Sequence, residues 1–170
     1  SIIDGQGQLG PVLICDSGES AETIIEHLMV INAVGINGAA VACIGSSPTI
    51  RHCVFSNGIG SNGGAIYCDA ASPLLLNCLL EGNLSSLQGG GVFCDNGSSP
   101  MLTDCLIADN IAGGAGGIYS RYSSPSLTNC TFTNNNALDQ GGGMCNTGSS
   151  SPTLTNCTFT ANVASDGGGM

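Results

Sequence analysis

Short apolar and polar steps alternate along this chain, and the alternation restarts about every 26 residues. In the unit beginning at Pro125, Leu127 faces one way, Cys130 and Phe132 share a face two residues apart, and Thr131 and Thr133 take the opposite face. A period of two is the signature of strand. Leu127 and Cys130 are three apart, so the alternation breaks once between them. A bend at Asn129 returns both to one interior, and Asn is the non-glycine residue that best tolerates the left-handed backbone such a bend needs. His52, Asn77, Asp104 and Asn156 hold the same slot, with His27 at the end of the series. Past a glycine cluster, Ile118 and Ser120 again lie two apart. Leu127, Cys130, Phe132 and Ile118 are therefore expected inside, and Thr131, Thr133 and Tyr119 outside. Gly clusters, Pro, Asn and Thr are weak helix formers, which speaks against a helical reading of the same segments.

The repeat organises the whole chain. Pro recurs at 48, 73, 100, 125 and 152, at intervals of 25, 27, 25 and 27 residues. Each Pro opens a segment such as SPSLTNCTFTNN or SPTLTNCTFTAN, and a glycine step follows: GGAIYC, GGGVFC, AGGIYS, GGGMCN. Three short strands per unit predict one coil of a parallel β-solenoid. The prediction is an all-β chain, one domain over residues 1–170, with about 6–7 coils and three sheets. At about 4.8 Å per coil the rod is on the order of 30 Å long.

Composition removes several function classes. Two basic residues, Arg51 and Arg121, stand against twelve acidic ones, for a net charge of −10. No basic surface exists to neutralise a phosphate backbone or to hold anionic lipid, so nucleic acid is not expected as a partner. No apolar run approaches the roughly 18–20 residues that span a bilayer, and membrane insertion is not expected. With 42% hydrophobic residues and only 8% charged, the chain should pack rather than stay disordered.

The unit resembles the repeats of right-handed parallel β-helix proteins of the pectin-lyase-like group. Within that group it is most similar to the repeats of chlamydial-type polymorphic outer membrane proteins, whose hallmarks are GGAI and FxxN. GGAI stands at Gly63–Ile66, and FxxN at Phe132–Asn135 and Phe159–Asn162, with relaxed forms at Leu80–Asn83 and Ile107–Asn110. The resemblance covers roughly residues 23–170 and implies a right-handed coil. It also implies an extracellular or cell-surface setting, an adhesin-like passenger role and an oxidising compartment. The expected function is a non-catalytic structural solenoid: a stalk, an adhesin passenger or a filament segment. The alternative is a polysaccharide-binding or polysaccharide-degrading β-helix enzyme.

Candidate chemistry falls into columns. Cys53, Cys78, Cys105, Cys130 and Cys157 form one series, and Cys15, Cys43, Cys68 and Cys94 a second, continued by Ser120 and Asn146. No CxxC-like spacing brings zinc ligands together, and no metal or other cofactor is expected. Buried thiols filling a narrow core are the preferred reading over disulfides between neighbouring coils, because in-register Cβ atoms about 4.8 Å apart exceed the usual bridging separation. Asn77, Asp104, Asn129 and Asn156 form the bend series. Tyr67, Phe93 and Tyr119 share a slot after the glycines; as outward rings they are a candidate glycan-binding surface, with a self-supporting aromatic stack as the plainer reading. Asp16, Asp69 and Asp95 recur after that strand and Arg121 takes the next place, an arrangement that imitates a lyase site but also suits ordinary turn positions. No catalytic residue is assigned. Sequons occur at Asn83, Asn96, Asn129 and Asn156, with Asn83 and Asn96 in expected loops and thus the candidate glycosylation sites. Thr-x-Thr recurs only at Thr131/Thr133 and Thr158/Thr160, too little for an ice-binding array. Ser1 begins within a strand pattern and Met170 falls inside a glycine step, so continuation in a longer chain or end-to-end self-association is expected.

Overall fold

The computed structural model describes residues 1–170. It is a parallel β-solenoid of about six turns without helix. One coil shows the plan. Thr49–Arg51 lies in sheet I, Val54–Ser56 in sheet II, Ile59–Asn62 in sheet III and Ile66–Asp69 in sheet IV. The sheets contain six, seven, four and six strands in that order, and each strand between the ends pairs with its equivalents one coil before and after.

The solenoid has four sheets rather than the three expected. The extra strand follows a second bend that the alternation does not display. The first bend lies where it is expected: His27, His52, Asn77, Asp104, Asn129 and Asn156 all have φ between 50° and 54°. A second left-handed series, Asn32, Asn57, Gly82, Asp109, Asn134 and Ala161, closes sheet II five residues later. Sheet III starts just beyond it. The same sheet absorbs length differences: Leu84–Gln88 is one residue longer than Ile59–Asn62, and its pairing shifts between Ser85 and Gln88.

The core is a narrow column filled from three sides. Sheet I contributes Ile50, Leu75, Leu102 and Leu127, sheet II Phe55, Leu80, Ile107 and Phe132, and sheet IV Ile66, Val92, Ile118 and Met144, all at most 1% exposed. Each such side chain contributes about 1.5–3 kcal/mol by leaving water. Glycine is required where the chain passes from sheet III to sheet IV. A Cβ on Gly90 would overlap Gly116 O of the next coil.

Thr131 and Thr133 are half-buried on the outer face of sheet II, as the alternation requires. The aromatic set departs from expectation. Tyr67 is 8% and Phe93 2% exposed, and Tyr119 is half-buried. The register of sheet IV is nonetheless the predicted one, because Ile66 and Cys68 face the core with Val92 and Cys94. The rings point away from that core into a wedge between sheets IV and III. Gly114 lies against Tyr119, and Ser86–Gln88 belongs to the same wall.

Candidate functional site

The outer face of sheet IV carries the densest polar and aromatic chemistry. Tyr67, Phe93 and Tyr119 stack face to face, with centroids 5.6 and 5.7 Å apart and planes within 19°. Their faces are occupied by each other, so the expected glycan-binding platform is not formed. A sugar needs an open ring face, and in-register stacking at the coil rise consumes both faces of the middle ring. Burial, with Asp69 and Asp95 nearby, pushes the Tyr67 hydroxyl up to about 12.

The acids sit at the end of the same strands. Asp69 and Asp95 are register partners. Asp69 accepts from Asn96 Nδ2 (2.6 Å), and Asp95 accepts from Arg121 Nε (3.0 Å) and from its Nη2. The guanidinium also lies 5.6 Å from the Phe93 ring centroid. Hydrogen bonding from Arg121 holds the Asp95 carboxyl below the usual range and raises the guanidinium in turn. The pair commits the Arg121 guanidinium to Asp95 rather than leaving it free. The other cation, Arg51, donates from Nε to Glu26 of the preceding coil at 2.6 Å. Both fixed positive charges therefore tie one coil to the next. No group of three or more His, Cys, Asp or Glu side chains is arranged to hold a metal ion.

The two bends are built alike. At the first, from His52 onward, the residue after each left-handed position is a cysteine whose thiol lies between a carbonyl of its own coil and one of the preceding coil. Cys78 Sγ reaches Ile50 O (3.5 Å), Cys105 reaches Leu75 O (3.6 Å) and Cys130 reaches Leu102 O (3.5 Å). At the second bend the corresponding residue is Ala33 and Gly58 in the first two coils and an asparagine from Gly82 onward. Asn83, Asn110 and Asn135 are buried, and Asn162 follows them half-buried. Asn110 Nδ2 donates to Leu80 O (3.0 Å) and to Asn135 Oδ1 (2.9 Å), while its Oδ1 accepts from Asn83 N (3.0 Å) and Nδ2 (2.9 Å). This interior asparagine ladder was not anticipated. The signal was present in the FxxN tetrapeptides, whose Asn recurs at 83, 110, 135 and 162 with the cadence of the prolines.

The predicted bend series Asn77, Asp104, Asn129 and Asn156 is exposed, with outward links such as Asn129 Nδ2 to Asp104 Oδ1 (3.0 Å). Asn83 lies in the expected connection, the two-residue corner between Leu79–Glu81 and Leu84–Gln88, but its side chain turns inward and is buried. Its carboxamide accepts from Gly58 N and donates to Phe55 O, so a glycan there is incompatible with the coil. Asn96 is exposed, with φ 53° in a turn. All ten cysteines are free thiols, nine of them buried and Cys157 half-buried. Cys15, Cys43, Cys68 and Cys94 pair in register along sheet IV, and burial pushes the Cys43 thiol well up. Ser120 and Asn146 continue that column, and Ser120 Oγ and Asn146 Oδ1 are buried without a partner.

Four short parallel strands per coil, stacked in register with donor ladders at two corners, define a β-solenoid. The sequence profile of the right handed beta helix region matches residues 12–159, and the chain belongs to that family. No curated protein and no solved structure matches it. The fold is one that serves structural or polysaccharide-related roles in general.

Proposed function

We propose that this chain is a non-catalytic structural solenoid of an extracellular or cell-surface protein, acting as a stalk, an adhesin passenger or a filament segment. The observation that carries the reading is the investment of its polar chemistry in coil-to-coil bonds. Both cations and the interior asparagines of one coil bond to a neighbouring coil. Chemistry committed in this way stiffens a rod. The likeness to polymorphic outer membrane protein repeats, through GGAI at Gly63–Ile66 and FxxN at Phe132–Asn135, favours the surface setting. End-to-end self-association, or continuation in a longer chain, accords with strands that repeat one pairing pattern from coil to coil.

The competing role is polysaccharide cleavage. Incubation with polygalacturonate and calcium, followed by ultraviolet absorbance of unsaturated products, separates the two. The structural reading expects no product above a buffer control. Product formation that vanishes in Arg121→Ala would refute it.

A further inference from the structure

The series of first bends opens with the chain's two histidines. Glu26 and Arg51 are register partners, so His27 and His52 follow them at one position of adjacent coils. Both take a left-handed φ, 54° and 52°, and both residues are exposed. The same backbone turn at the same step of the coil sends the two side chains out together. Their rings stack with centroids 5.2 Å apart and planes 29° from parallel. Farther along this column the residue is Asn or Asp, so imidazoles meet only here. Glu26 Oε2 lies 3.8 Å from His27 Nδ1 and accepts from Arg51 Nε at 2.6 Å, so the guanidinium beside the rings is compensated.

We propose that His27 and His52 together chelate a divalent transition-metal ion of the Zn²⁺, Ni²⁺ or Cu²⁺ kind on the outer edge of the solenoid. Imidazole is the ligand these ions share, whereas Mg²⁺ and Ca²⁺ take oxygen. With metal–nitrogen bonds of about 2.0–2.1 Å, two rings on one tetrahedral ion have centroids roughly 5 Å apart. The pair already stands at that spacing. Rotation about the side-chain bonds turns a nitrogen of each ring toward the ion, and the His27 side chain, 71% exposed, has room for it. Two protein ligands are fewer than a structural or catalytic zinc site uses, so water completes the coordination. The ion is therefore a clasp on the surface, with bonds to two successive coils. Because the unfolded chain does not hold the two imidazoles side by side, the ion stabilises the fold by mass action. A net charge of −10 draws cations toward it.

The test is titration of the fully reduced 170-residue chain with Ni²⁺ at neutral pH, read by calorimetry, by melting temperature and by the imidazole proton resonances, to which only these two residues contribute. One ion per chain, paramagnetic broadening of both rings and a raised melting temperature are expected. His27→Asn and His52→Asn introduce the residue that Asn77 already carries at this bend with φ 50°, so both variants should fold. Each should weaken binding about ten-fold or more, because a chelate becomes a single contact. Asp104→Asn, two coils along the same column, should leave the affinity unchanged, and Mg²⁺ should produce no response. The proposal is overturned if Ni²⁺ broadens one ring or neither, or if either folded histidine variant keeps the parent affinity. An equal rise in melting temperature with Mg²⁺ also overturns it, by assigning the effect to the acidic surface. So does loss of binding on acetylation of the Ser1 amino group, which donates to His27 O (2.9 Å), since that amine would then be the ligand.

Discussion

Replacing Asn110 by Ala should be among the most damaging small changes this chain can suffer. The side chain is fully buried, and its loss leaves Asn83 N–H and one Asn83 Nδ2 hydrogen without partners, while the Leu80 carbonyl keeps its ladder bond to the next coil. Asn135 Oδ1 keeps the bond from the Asn110 backbone N–H (3.1 Å), so it is not orphaned. Two unsatisfied buried donors at about 1–3 kcal/mol each, with the lost packing of the side chain, give a loss of roughly 3–5 kcal/mol. For a chain of this size that corresponds to about 10 °C or more in melting temperature. Urea denaturation followed by far-ultraviolet circular dichroism measures it. The control is Asn129→Gly, which keeps the left-handed backbone (φ 54°) and removes only exposed hydrogen bonds. It should cost no more than about 0.5–1 kcal/mol. An Asn110→Ala protein within about 1 kcal/mol of the parent, or no worse than Asn129→Gly, would refute the claim that satisfaction of the interior corner holds the coils together.

Two further outcomes follow from the site. Iodoacetamide should label the folded chain at Cys157 and spare the nine buried thiols, and all ten should react after denaturation without reductant; a mass short of ten adducts would reveal disulfides. Asp95→Asn should lower stability at pH 7 by about 1 kcal/mol, the half-exposed Arg121 limiting the gain. The sign follows from the depressed folded pKa. The unfolded chain binds more protons in the acid range, so the Asp95 contribution is present above its ordinary carboxylate pKa and is lost as pH falls through the lower folded one. Parent and variant should converge in acid melts, and a gap that persists at the lowest pH would contradict the assignment.

The sequence alone displays the repeat, the two thiol columns and the first bend, because each depends on in-phase recurrence of a residue type with one dominant conformational reason. His27, His52 and Asp104 take left-handed φ beside the asparagines, so position in the repeat outweighs residue identity. The second bend is harder to see. Its slot, Asn32, Asn57, Gly82, Asp109, Asn134 and Ala161, holds as many asparagines as the first, but the inward residue just beyond it is a polar Asn110 or Asn135, so no break in the apolar alternation marks it. The fourth sheet was missed with it. Asn83 carries a sequon, and its amide reads as a surface group until the adjoining corner shows the Gly58 N–H turned inward and bonded to its Oδ1. Alternation assigned the aromatic rings to the correct face of sheet IV. It is blind to the neighbouring sheet that folds across that face, and coverage was therefore not deducible for Tyr67 and Phe93.

The asparagine ladder also gives the solenoid a sense of direction. Asn83 donates to Asn110, Asn110 to Asn135, and Asn135 to Asn162, always from amide to carbonyl oxygen toward higher residue numbers. The carboxamide dipoles thus line up nose to tail, each polarising the next. The rod is an arrow rather than a symmetric bar. A coil added at its leading side must offer an acceptor, and one added behind must offer a donor, so two such segments can extend one another only in the same orientation. Inverting one of them would set oxygen against oxygen or amide against amide at the joint, and polarity of assembly is thereby written into a single column of side chains.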